Sequence, residues 1–221
     1  MQTKKIMPST PFIEKDELFN LTIIHINDVH SRYDQINSAA TDCTKEQFEK
    51  GECYCGTLFF TYYDGEISSK VLVSKFSIYN ITAIGNHEFD NGPEVLEEHF
   101  SRLTMPIVCS NINTTLNPKL GKYIKPYHIF EKYDLAVIGY ITDVGIGISL
   151  TTGGISNSGP TLSFSDPISI VQYYVDELHA KGIKRIFTLS HNGYSPDKKL
   201  AANTHGIAVH IGEDTLIVQV S

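Results

Sequence analysis

The stretch Ile81-Thr82-Ala83-Ile84-Gly85-Asn86-His87-Glu88-Phe89-Asp90-Asn91-Gly92-Pro93 changes character twice within a few residues. Ile81 to Gly85 is a short apolar run and reads as a strand. Gly85 and Gly92 then bracket a tight turn that carries an amide, an imidazole and two carboxylates. Asn91-Gly92-Pro93 supplies a cap-type residue and a proline suited to the first turn of a helix. Val95, Leu96, His99, Phe100 and Leu103 form one apolar face of that helix, the face it buries against a sheet. A strand delivering a polar turn into an amphipathic helix is the repeating step of an α/β layer structure.

The same alternation runs outward in both directions. Leu21 to Asn27, Ile107 to Asn111, Leu135 to Ile141 and Arg185 to Ser190 read as strands, with a weaker one at Thr57 to Tyr63. Asp166-Pro167 opens a second helix, whose apolar face is Val171, Tyr174, Val175 and Leu178. Gly145 to Pro160 is rich in Gly, Ser and Thr but lacks the Gly-Lys-Ser/Thr ending of a phosphate-cradling loop, and reads as a surface loop. No repeat and no linker splits the chain. The expected organisation is an N-terminal extension at 1–20, one α/β domain at 21–212 and a divergent tail at 213–221.

Composition narrows the function classes. The 221 residues are 41% hydrophobic and 10% aromatic, enough to bury a core, and their net charge is −7. No basic run exceeds Lys4-Lys5 or Lys198-Lys199, which argues against a nucleic-acid partner while leaving room for a small phosphorylated ligand. No apolar stretch reaches the ~18 to 20 residues of a membrane span, and no signal-peptide-like segment opens the chain. Cys43, Cys53 and Cys55 cluster in a polar loop, where Cys43 and Cys53 either pair or remain thiols; Cys109, in an apolar run, reads as a buried thiol. The sequons at Asn20, Asn80 and Asn113 fit a glycosylated, exported protein.

Metal-competent residues fall just past the ends of these strands, where the loops of an open α/β sheet converge. Asp28-Val29-His30 follows Leu21 to Asn27, Asn86-His87-Glu88 follows Ile81 to Gly85, and His191-Asn192-Gly193 follows Arg185 to Ser190. Asp28 and His30, two apart on an extended exit, point to one side and can share an ion, although taken alone they read as a capped strand end with a surface histidine. A carboxylate beside an imidazole suits zinc, manganese or iron better than calcium. The Asn86 amide oxygen can ligate a metal, and Asp90 stands where it can hold the His87 imidazole. His191 alone reads as an ordinary strand-end histidine.

Taken together, Asp28-x-His30, Gly85-Asn86-His87-Glu88 and His191 resemble the calcineurin-like metallophosphoesterases. Ile26-Asn27-Asp28-Val29-His30-Ser31-Arg32 and Gly85 to Gly92 look like the 5′-nucleotidase/apyrase branch, with Gly56-Thr57-Leu58-Phe59-Phe60 and Tyr140-Ile141-Thr142 also similar to segments of it. The resemblance covers most of residues 20 to 205. It implies an α/β sandwich of sheets flanked by helices, and a site where two divalent metals, zinc or manganese, clamp a phosphate for in-line attack by an activated hydroxide. Asp28 and His30 would hold the first metal, and Asn86 and His191 the second. His87, oriented by Asp90, would stabilise the developing charge or assist the leaving oxygen. The implied substrate is AMP, ADP or ATP, and the implied location is extracellular or at the cell surface.

Three departures qualify that expectation. The family's Gly-Asp motif, whose aspartate bridges the metals, has no match, because no Gly-Asp dipeptide occurs in the chain and Glu52-Cys53-Tyr54-Cys55 stands before Gly56-Thr57. An internally shortened domain is therefore expected, with Asp42, Glu52 and Asp64 as stand-ins that nothing in the spacing separates. The closing Gly-Gly-His motif is replaced by His210-Ile211-Gly212-Glu213-Asp214-Thr215, offering Asp214 or His210 as substitutes. The family's nucleotide-specificity domain has no counterpart in these residues. Two function classes follow: a metal-dependent hydrolase of nucleotide phosphate esters, or an inactive relative that binds a metal or a partner. A generic phosphodiesterase is disfavoured by the Gly85 to Gly92 string.

Overall fold

Residues 21–25, 35–36, 54–55, 80–89, 91–141, 159–212 and 216–218 are described by the computed structural model. The strands in chain order are β1 (Gln35–Ile36), β2 (Tyr54–Cys55), β3 (Thr82–Ala83), β4 (Ile107–Val108), β5 (Ile112–Asn113), β6 (Ile124–Lys125), β7 (Tyr127–Phe130), β8 (Leu135–Ile141), β9 (Ser163–Phe164), β10 (Arg185–His191), β11 (Val209–Ile211) and β12 (Leu216–Val218). The α-helices are α1 (Gly92–Ser101), α2 (Pro118–Gly121), α3 (Pro167–Ala180) and α4 (Tyr194–Asn203).

β8 organises the fold. All seven of its residues, Leu-Ala-Val-Ile-Gly-Tyr-Ile, are buried, as expected of a strand covered on both faces. It lies inside a sheet of order β12-β11-β10-β8-β7, parallel to β10 and antiparallel to β7. Ala136, Ile138 and Tyr140 pack with Val171, Val175 and Leu178 of α3 and Leu200 of α4. Leu135 and Val137, on the opposite face, join Phe187 and Ile211 in a second cluster.

The second sheet, of order β3-β4-β6, is parallel throughout. It packs on β8 at Gly139, where an added Cβ would stand 2.1 Å from the Val108 carbonyl oxygen, so no side chain fits between the layers. A third core gathers Leu96 and Phe100 of α1, Ile107, Leu120, Ile124 and Ile141. The layers therefore run α3 and α4, large sheet, small sheet, α1 and α2, which is the sandwich expected from the sequence. β6 and β7 flank Pro126, so one continuous segment belongs to both sheets.

Most expected elements form. Asp166 caps α3 by accepting from the Ser169 N–H at 2.9 Å, and Pro167 occupies the first helical position. Asn91 precedes α1 as expected, without a side-chain cap bond. Cys109 is a buried free thiol, pushed up to about 12 by burial. The reading of Leu21 to Asn27 as a strand needs correction over 21–25, which carry no strand pairing; Ile23 and Ile24 are exposed, and an apolar run becomes a strand only where a neighbour takes up its N–H and C=O groups. Ile81 to Gly85 shortens to Thr82–Ala83 and Ile107 to Asn111 to Ile107–Val108. Thr57 to Tyr63, Cys43, Cys53, Asp42, Glu52, Asp64, Asp214 and residues 145–158 lie outside the described residues.

Candidate functional site

The end of β3 and the end of β10 meet. Gly85 is buried, and a Cβ built on it would lie 2.9 Å from Cδ2 of the His191 ring and 2.8 Å from Oε2 of Glu88. Only a glycine lets the polar turn approach His191 this closely. The Gly85 N–H donates to Glu88 Oε2 at 2.7 Å, the backward half of a capping box, and this bond folds the chain into the 3-10 turn His87–Phe89. Phe89, fully buried, anchors that turn by an edge-to-face contact with Phe164 at 5.6 Å. Asn86 stands between Gly85 and the turn, half-buried.

His191 is the last residue of β10 and registers against Ile141 at the end of β8. Gly193 follows at a φ of 83°, a left-handed value that lets the chain turn at once into α4. Asn192, between them, buries its Oδ1 with no hydrogen-bond partner among the described residues.

Beneath this surface two polar ties fix the strand ends. Asn111, 2% exposed, accepts from the Ile141 N–H at 2.9 Å and donates Nδ2 to the Ile141 carbonyl at 2.8 Å and to the Ser165 carbonyl at 2.9 Å. On the other side of the large sheet, Asp197 of α4 is fully buried, and its Oδ1 accepts from the Tyr140 hydroxyl at 2.8 Å and the Ser190 hydroxyl at 2.9 Å. Burial first, and then the Asp197 charge, push the Tyr140 phenol far above its ordinary range, so it stays a donor.

Of the residues expected to carry chemistry, the structure brings Asn86 and His191 to neighbouring strand ends and puts His87 in the adjoining 3-10 turn. Asp28, His30 and Asp90 lie outside the described residues. His210 sits 1% exposed with Nδ1 3.0 Å from Thr188 Oγ1, registered with Thr188 on the helix-covered face, away from His191. It is therefore no substitute for the closing histidine. Among the described residues no three His, Cys, Asp or Glu side chains gather into a metal-holding group. The amide of Asn86 and the imidazole of His191 are donor types that suit a divalent metal such as zinc or manganese.

Sequence reasoning missed Asp197, Asn111 and helix α4. A start signal was present in Ser195-Pro196-Asp197, with a proline and an acid in the first turn. The partners of Asp197 and Asn111 come from other strands, so no local pattern marks them.

No family model matches the chain. It is 32% identical over 222 residues to the 5′-nucleotidase of Diplobatis ommata, covering 88% of this chain and 37% of that protein. It is 31% identical over 227 residues to the snake venom 5′-nucleotidase of Naja atra, covering 89% of this chain and 41% of that protein. The chain thus spans about two fifths of the length of these relatives. Among solved structures, a 5′-nucleotidase precursor from Thermus thermophilus superposes with a TM-score of 0.62 at 34% identity, over 71% of this chain and 30% of that one. A calcineurin-like phosphoesterase from Bacillus subtilis, at 22% identity and a TM-score of 0.51 over 69% of this chain and 52% of that one, shares the fold.

Proposed function

We propose that the chain is a member of the 5′-nucleotidase branch of the calcineurin-like phosphoesterases, a family of phosphoric ester hydrolases, and that it hydrolyses nucleotide phosphate esters with the help of two divalent metals. Asp28 and His30 would hold one metal, and Asn86 and His191 the other, with zinc or manganese suited to this mixture of carboxylate, amide and imidazole. When bound, the metals supply Lewis-acid charge at the phosphoryl oxygens. His87, held by Asp90, would stabilise charge at the phosphoryl group or pass a proton to the leaving oxygen. AMP, ADP or ATP is the substrate class, the apyrase-like range of the branch.

The observation that carries this reading is the closure of Gly85 onto the His191 ring, 2.9 Å from where a Cβ would stand. That approach brings the β3 and β10 ends together, which supports an ion shared between Asn86 and His191. A secretory location, with glycans on the sequons, accompanies the proposal; Asn80 and Asn113 are both exposed. A second reading, an inactive relative that binds a metal or a partner, is favoured by the missing Gly-Asp dipeptide, because two dications a few ångströms apart repel without a bridging anion.

Phosphate release from AMP and ADP by the purified 221-residue chain, with added zinc or manganese and then with chelator, separates the two. The hydrolase reading expects chelator-sensitive release that falls about 10²- to 10⁴-fold in His87→Ala. A chain that is folded by circular dichroism yet releases no phosphate under any metal overturns that reading in favour of binding.

A further inference from the structure

We propose that Asp197 is a positioning residue for this site: by tying the ends of β8 and β10 to the start of α4, it aims His191 at the Gly85 turn. The inference rests on reading His191 as a metal ligand. Ser190 and Tyr140 are registered partners on neighbouring strands, and each immediately precedes the last residue of its strand, His191 and Ile141. Asp197 Oδ1 accepts a hydroxyl from both, at 2.9 Å and 2.8 Å, so a single oxygen joins two strand ends and a helix.

Because side chains alternate along a strand, fixing Ser190 toward α4 fixes His191 toward the opposite face, where Gly85 lies. The tie adds a hold on the β10 end from the α4 side, beside its pairing with β8 and next to a left-handed glycine turn. Helix α4 already has Leu200 and Ala201 for apolar attachment. A fully buried carboxylate is costly compared with a further apolar residue, which points to placement rather than to packing as its use. The tie is also independent of the Asn111 bonds that hold Ile141 from the other side of the sheet.

The test uses the full chain labelled at histidine, observing the imidazole resonances by NMR without metal and then during titration with Mn²⁺. Ser190→Ala removes the link to β10 alone. It is expected to shift and broaden the His191 resonances, to leave those of His179 in the last turn of α3 unchanged, and to weaken Mn²⁺ binding about 10- to 100-fold. Asp197→Asn, which keeps an acceptor oxygen, is expected to retain the native His191 signals; Asp197→Leu is expected to lose them. Native His191 signals in folded Ser190→Ala overturn the proposal, whatever happens in the leucine variant. If the unaltered chain takes up no Mn²⁺, the metal-ligand reading fails, while the metal-free resonances still decide whether Asp197 positions His191.

Discussion

Cys109 shows how strongly single side chains are governed by the layers around them. Its thiol lies 3% exposed, with Sγ 3.7 Å from Asn111 Oδ1, and burial raises it from an ordinary value of 9.0 to about 12. The unfolded chain therefore loses this proton first, and the contribution to stability is complete below about pH 9 and is lost as pH rises toward about 12. Urea midpoints measured from about pH 8 to pH 11 should fall more steeply for the native chain than for Cys109→Ala; parallel curves would show that the thiol is not protected. Cys109 was legible in the sequence from its apolar neighbours, as was the placement of Asn86 and His191 near the ends of β3 and β10. Asp197 was not, because its hydroxyl partners are 7 and 57 residues away and a lone acid on a helix reads as solvated.

Among the elements, β8 and β10 were legible because each is a run long enough to be buried on both faces, whereas β3 and β4 keep only two paired residues each. The run from Ile107 to Asn111 reads as one strand, yet Asn111 leaves the ladder and lends its amide to the Ile141 backbone instead. A side chain thus replaces a strand neighbour at the end of β8. Asn111→Leu should leave the Ile141 N–H and C=O groups unpaired and cost about 3 kcal/mol, measured by urea denaturation. A loss below about 1 kcal/mol would mean that the strand end finds other partners. Tyr127–Phe130 escaped notice because Pro126 interrupts its apolar pattern, and a proline normally argues against a continuing strand.

For the molecule as a whole, the layer order was legible through the motifs rather than through periodicity, since the small sheet offers too few paired residues to announce itself. Among the described residues no helix is long and apolar enough to cross a membrane. The exposed sequons give the proposed export a direct check. At Asn113 the side-chain oxygen accepts from the Thr115 N–H at 2.9 Å and the residue faces solvent. Chain routed through a secretory pathway should shorten on gels after endoglycosidase treatment, with one increment lost in each of Asn80→Gln and Asn113→Gln; an unchanged mobility would count against glycosylation. The corner at Pro126 carries a last consequence. Because Lys125 and Tyr127 pair in different sheets, and the Ser110 N–H reaches across to the Gly139 carbonyl at 2.7 Å, neither sheet can peel away while the other stays intact. Damage to either layer is felt in both, and the strand ends that meet at Gly85 and His191 stand or melt as one cooperative unit.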